Sequence, residues 1–264
     1  LNAHCQQAIC TASRVSFLTG LRPDTTRNWN LRTRFRDLMP DVTTLPQHFK
    51  EHGYATYGVG KIFHGQSAAH QDESNSWSEG WHNPGDGRFK FYERGDNPGV
   101  WNTWNKAGEP DASSVSATDV GEYKRDGVTP IGDTDYEDGR AAELAIQKIA
   151  EYAGNGTRFF LGLGFQKPHL PFNAPKAYWD LYDPDEINLS GYTGNRVMPV
   201  GTNAFTATYG NEPLSYGDGE TYLPTVFDNT AFGQSNNIPS QASARHLIHG
   251  YLACVSFIDA QLGK

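Results

Sequence analysis

Cys10 and Arg14 stand four residues apart in CTASR, at the head of a run, CTASRVSFLTG, whose apolar residues are spaced for a short helix that stops at Gly20. A thiol opening a helix lies beside free backbone N–H groups, which favour an anion, and Arg14 shares its face one turn on. A second pair, Lys61 and His64 in GVGKIFHG, sets a cation and an imidazole three residues apart. That pairing suits charge neutralisation together with proton transfer. A third pair, Lys167 and His169, lies in QKPHLPF, where two prolines restrict the loop and limit the entropy lost on ordering it. Each also has a plainer reading: a buried apolar thiol, a surface Lys beside a loop His, and a His capping a turn. Cys5 and Cys254 have no such surroundings and read as core or inert thiols.

These side chains need elements to hold them. Residues 43–52 (TTLPQHFKEH) read as an amphipathic helix with Leu45 and Phe49 on one face, His48 beside them, and Gly53 closing it. Residues 54–60 read as a strand, which puts Lys61 and His64 just past its end. Residues 138–153 (DGRAAELAIQKIAEYA) form the clearest helical pattern, with Gly154 after the end. Residues 158–165 (RFFLGLGF) follow as a nearly continuous apolar strand, expected in a sheet covered on both faces, and the QKPHLPF loop sits immediately beyond. Helix then buried strand, twice, predicts an α/β sandwich with a largely parallel central sheet, in which ligands bind past the carboxyl ends of the strands. Residues 70–130 read as long loops with short strands, suited to a lid or substrate wall. Residues 178–239 are again loop-rich, and 240–263 resume a helical pattern.

The bulk properties narrow the partners. At 264 residues, with 37% hydrophobic, 12% aromatic and 20% charged residues spread along the chain, one soluble globular domain is expected. The net charge of −8 and the absence of any Lys/Arg cluster argue against nucleic acid. An anionic substrate must therefore be drawn by a few cations focused in one cleft. No apolar run approaches the roughly 18 residues that cross a bilayer. The start, LNAHCQQAIC, lacks the pattern of a signal peptide and begins without Met, which leaves room for an upstream segment. Three cysteines build neither a disulfide framework nor a CxxC metal pattern.

CTASR continuing to LTGLRP resembles the signature of type I sulfatases, the formylglycine-dependent enzymes that hydrolyse sulfate esters. With TGLRPDTTRNW, GVGKIFHG, FFLGLGFQKPHLPF and the closing YLACVSFIDAQLGK in order, the chain is most similar to the iduronate-2-sulfatase branch. The resemblance implies an alkaline-phosphatase-like sandwich with helices on both faces of the sheet. It implies that a formylglycine-generating enzyme oxidises Cys10 to formylglycine, whose hydrated form supplies one hydroxyl to attack sulfur and a second to release sulfate. Arg14 would hold the diol and the sulfate, Lys61 and His64 would bind the sulfate oxygens and the formylglycine hydroxyl, and His169 would protonate the leaving alcohol. Lys167 would meet sulfate or a carboxylate on the sugar. Trp77, Trp81, Trp101 and Trp104 offer flat faces to sugar rings, and the substrate class implied is a sulfated, uronate-containing glycan. An extracytoplasmic location, whether secreted, periplasmic or lysosomal, goes with the resemblance.

The same family holds one calcium ion, with formylglycine among its ligands. Its other ligands lie on a first strand that would precede Leu1 and on elements that would follow Lys264, so residues 1–264 are expected to be part of one catalytic domain. Asp133, Asp135 and the acids of 183–186 do not match those ligand positions, which leaves Cys10 as the single expected ligand. Two other readings stand beside the hydrolase. One is a phosphoryl-transfer relative, which would use Ser or Thr as nucleophile and lack the CxAxR continuation. The other is a non-catalytic carbohydrate-binding protein on the same scaffold, separated from the hydrolase by a calcium titration and a sulfate-ester assay.

Overall fold

The computed structural model describes residues 4–31, 33–65, 69–84, 132–169, 172, 174–189 and 241–264. The chain divides into two compact units: Leu1–Asp86, Asp138–Gln166 and Lys264 form the first, and Gly87–Glu137 with Lys167–Gly263 the second.

The first unit opens with helix α1 (Cys10–Thr19), closed by Gly20 in the left-handed region at φ 72° as its lack of a Cβ permits. Short helices α2 (Pro23–Thr26) and α3 (Phe35–Leu38) follow. Helix α4 (Leu45–Glu51) is started by Thr44, whose hydroxyl accepts from the Gln47 N–H at 3.2 Å in a capping box. The predicted face of this helix is only half right: Phe49 stacks on Phe160 with ring centres 4.7 Å apart, but Leu45 is 44% exposed and His48 is exposed. One seven-residue turn pattern cannot decide which flank the neighbours will cover. Thr44 is completely buried and its hydroxyl also meets Ser76 Oγ at 2.7 Å. Thr44→Val, which keeps the shape and removes the cap, is therefore expected to lower unfolding stability by about 1–2 kcal/mol in denaturant titrations.

Among the described residues, strand β1 (Ala55–Gly60) is central in a three-stranded parallel sheet, between β2 (Trp81–His82) and β3 (Phe159–Gly164). Between β1 and β2 lies the short helix α5 (Glu73–Ser76), and α6 (Glu137–Asn155) precedes β3. Helix α6 runs through Gly154 and ends before Gly156 at φ 72°, two residues later than expected. An interior glycine costs only about 1 kcal/mol, so a helix with packed neighbours continues past it. Alternation along the strands divides the core in two. Tyr57, Val59, Phe159, Leu161 and Leu163 pack with Ala141, Ala145 and Tyr152 of α6. Phe160 on the opposite face joins Val15, Leu18, Phe35, Ile62, Phe63 and Trp77. Strand β3 is half-buried throughout and has β1 as its only partner among the described residues, short of the two-sided burial its apolar run suggested.

Arg36 ties α3 to α5 through a two-pronged ion pair with buried Asp72, its Nε at 2.9 Å and Nη2 at 2.8 Å from the carboxylate. Asp72 also accepts from Ser76 Oγ at 2.6 Å, which satisfies a charge otherwise expensive to bury.

Among its described residues the second unit contains a 3₁₀ turn at Asp133–Asp135, helix α7 (Lys176–Trp179), another 3₁₀ turn at Pro184–Glu186, and helix α8 (Gln241–Leu262). Its core joins Tyr136, Ala174, Trp179, Ala253, Cys254 and Phe257. Asp133 serves packing here: it accepts from Tyr178 Oη and Gln261 Nε2, both at 2.9 Å. Burial, reinforced by that carboxylate, pushes the Tyr178 phenol up to about 12.

Candidate active site

Cys10 is the first residue of α1, half-buried and unpaired with any other cysteine. The Lys61 ammonium donates to its Sγ at 3.8 Å. Lys61 itself is only 8% exposed, so its long side chain crosses packed surroundings to reach the thiol. Arg14, one turn along α1, sends Nη1 to the carbonyl oxygens of Lys61 at 2.5 Å and Ile62 at 2.9 Å. Burial pulls the Arg14 guanidinium below its ordinary value, and Cys10 pulls it back up, without bringing an arginine near neutrality. The structure thus brings Cys10, Arg14 and Lys61 together across 47 residues or more of sequence.

His64 follows in the same bend, with Nδ1 buried and without a hydrogen-bond partner among the described residues. The backbone around it is held by Gln71, which is fully buried. Gln71 Oε1 accepts from the Phe63 N–H at 2.9 Å, and Nε2 donates to the carbonyls of Phe63 at 3.3 Å and Gly65 at 2.5 Å. Nothing in the sequence marks Gln71, because it sits in a polar, aperiodic stretch and acts only through backbone groups that folding brings to it.

Lys167 and His169 belong to the second unit, where Lys167 Nζ donates to the His169 carbonyl at 3.2 Å. Just before them, the Gln166 N–H donates to the buried Asp138 carboxylate at 2.7 Å, which anchors the end of β3 within the first unit.

Trp77 does not take the place expected of it. Trp77 is 3% exposed, part of the core, and its Nε1 donates to the Gln71 carbonyl at 2.8 Å, so it has no face for a sugar. Trp81 packs against the same core and donates to the Gly60 carbonyl at 2.7 Å. A large apolar ring gains more from burial than from exposure wherever neighbouring elements leave room for it. Trp101 and Trp104 lie outside the described residues.

A calcium ion takes about six or more oxygen ligands. Among the described residues, no three of His, Cys, Asp and Glu come together as a metal site. The described residues by themselves do not make a calcium cage.

The family model named Sulfatase matches residues 1–264. The chain belongs to the sulfatase family. This sulfatase chain is 32% identical over 268 residues to iduronate 2-sulfatase of Homo sapiens, covering 100% of the chain and 43% of that protein. To a sulfatase of Formosa agariphila it is 30% identical over 276 residues, covering 100% of the chain and 46% of that protein. The sulfatase chain thus spans less than half the length of these relatives. Among solved structures it is similar to the phosphonate monoester hydrolase from Silicibacter pomeroyi, with TM-score 0.53, 18% identity, and coverage of 96% of this chain and 48% of that one. That likeness establishes the fold: an alkaline-phosphatase-like open parallel sheet with helices around it. No helix among its described residues is long and apolar enough to cross a membrane.

Proposed function

We propose that the sulfatase chain carries the nucleophile and part of the sulfate pocket of an enzyme that hydrolyses sulfate esters on sulfated, uronate-containing glycans outside the cytoplasm. The observation that carries this reading is Cys10 at the head of α1, within CTASR, with the Lys61 ammonium on its sulfur. The thiol marks where formylglycine would stand after oxidation by a formylglycine-generating enzyme. Formylglycine supplies a hydrated aldehyde, with one hydroxyl for attack on sulfur and another for release of sulfate.

The chain's own residues prepare that position. The first N–H groups of α1 favour negative charge, and Lys61 neutralises an anion held there. His64 presents an imidazole in the same bend, suited to holding a proton on the reacting oxygen. His169 is assigned to protonate the departing alcohol, and Lys167 to pair with a uronate carboxylate. Calcium accompanies the family resemblance, with residue 10 as the ligand this chain would contribute.

The nucleophile is tested by producing the protein together with a formylglycine-generating enzyme and weighing the peptide that contains residue 10. A peptide lighter by the difference between thiol and aldehyde supports the reading. An unmodified thiol under conditions that convert a known CxAxR substrate overturns it, and leaves the carbohydrate-binding alternative.

The substrate is tested through Lys167. On oligosaccharides that carry both sulfate and uronate, Lys167→Ala is expected to raise KM about tenfold, the effect of losing one charge-assisted pair. On matched substrates without the carboxylate, wild type and variant are expected to be alike. If removing the carboxylate leaves kcat/KM unchanged in both proteins, Lys167 does not read a uronate.

A further inference from the structure

One face of the β1–β3 pair is built without side chains near its carboxyl end. Gly58 is in register with Gly162 and Gly60 with Gly164, so the two GxG runs form adjacent bare rungs. The rungs differ in what occupies the space. A Cβ on Gly58 or Gly162 would meet side chains, the Trp77 ring at 2.7 Å and the Ile62 Cδ1 at 2.9 Å respectively. On Gly60 it would run into the Gly164 carbonyl oxygen, and on Gly164 into the carbonyl of Lys61. The first rung is thus a seat for movable groups, and the second a contact between backbones.

At that second rung the chain leaves β1 with Gly60 at φ 75°. The next N–H, that of Lys61, donates to the Gly164 carbonyl at 2.7 Å. The Lys61 carbonyl is taken from the other side by Arg14 at 2.5 Å. Both backbone groups of Lys61 are therefore held, one by β3 and one by α1, while its ammonium rests on Cys10. A lysine side chain has four rotatable bonds, so where its ammonium falls depends first on where its backbone root is held.

We propose that Arg14 and Gly164 are positioning residues that clamp the Lys61 backbone and thereby set its ammonium at residue 10. In this reading Gly164 acts through the side chain it lacks, and Arg14 through the reach of its Nη1 to two carbonyls rather than through its charge alone. The inference builds on the reading of Cys10 and Lys61 as partners in the sulfate pocket, but its test does not require turnover.

The full chain with Cys10 as the thiol is treated with iodoacetate and, separately, with iodoacetamide, and carboxymethylation or carbamidomethylation of the Cys10 peptide is followed by mass spectrometry. The ratio of the two rates reports local positive charge, because the thiolate fraction is common to both and cancels. Lys61→Met is expected to lower that ratio about fivefold. The same substitution is then made in three backgrounds as double-mutant cycles. In Gly164→Ala and in Arg14→Lys, where the clamp is broken and the charge at 14 is kept, Lys61→Met is expected to change the ratio less than about twofold. In Gly162→Ala, which disturbs Trp77 and Ile62 instead, the full effect is expected to remain. A full Lys61 effect in soluble Gly164→Ala or in Arg14→Lys overturns the clamp, as does its loss in Gly162→Ala. If Gly164→Ala does not fold, Arg14→Lys decides. No Lys61→Met effect in the wild-type background removes the premise. Clamp behaviour in the absence of sulfatase turnover by the full-length protein would leave the inference standing and remove the proposed function.

Discussion

Cys10→Ala is expected to abolish sulfate-ester turnover by the full-length protein, a loss on the order of ten-thousandfold or more. The argument is chemical rather than structural. A methyl side chain can be neither oxidised to an aldehyde nor hydrated, and no neighbouring group supplies two hydroxyls on one carbon. The fold should tolerate the change, because residue 10 is half-buried at the start of a helix and Ala is the best helix former. The measurement is release of phenol from a chromogenic aryl sulfate, with thermal melts to show that the variant is folded. Turnover equal to that of wild type would take the nucleophile away from residue 10.

Lys61→Ala, His64→Ala and His169→Ala are each expected to lower kcat/KM by about a hundredfold or more, as groups that stabilise transition-state charge or move a proton do. Lys61 carries the strongest structural support. It is a cation held at 8% exposure with its ammonium 3.8 Å from Cys10 Sγ, in surroundings where charge is worth more than in water. His64 is supported by its place in the bend that Gln71 pins on both sides, and by a ring Nδ1 buried without a hydrogen-bond partner among the described residues. His169 rests on the order of residues in QKPHLPF after β3. Steady-state kinetics on one sulfate ester separate them: loss confined to KM would mean binding without chemistry, and near-wild-type values in any two would place the pocket elsewhere.

Those variants should differ in their structural side effects. The clamp on Lys61 is made through its backbone, so Lys61→Ala leaves the Arg14 and Gly164 contacts available.

Much of the scaffold is legible along the chain because it is set by local rules. Gly20 ends α1 since a left-handed residue costs glycine least, the amphipathic pattern of residues 43–52 closed by Gly53 announces α4, and the periodicity of residues 138–153 reports α6. The apolar runs of β1 and β3 and the parallel sheet follow from the same kind of pattern. CTASR, GVGKIFHG and QKPHLPF mark the candidate residues, and their resemblance to sulfatase sequences implies the chemistry.

Folding decided what those residues touch. Leu45 turns to solvent while Phe49 finds Phe160, because a short helix shows its pattern but not its neighbours. Trp77 fills the space above the bare Gly58 and Gly162, turning an expected sugar platform into core. Arg14, one turn from Cys10 in sequence, reaches the carbonyls of a bend 47 and 48 residues away. Gln71 holds that bend through backbone atoms that carry no residue-specific signal. Sequence determined which groups can do chemistry and which segments are helix or strand, since both depend on near neighbours. Tertiary structure alone decided that Lys61 meets Cys10, since close approach at Gly60 and Gly164 exists only once β1 and β3 lie side by side.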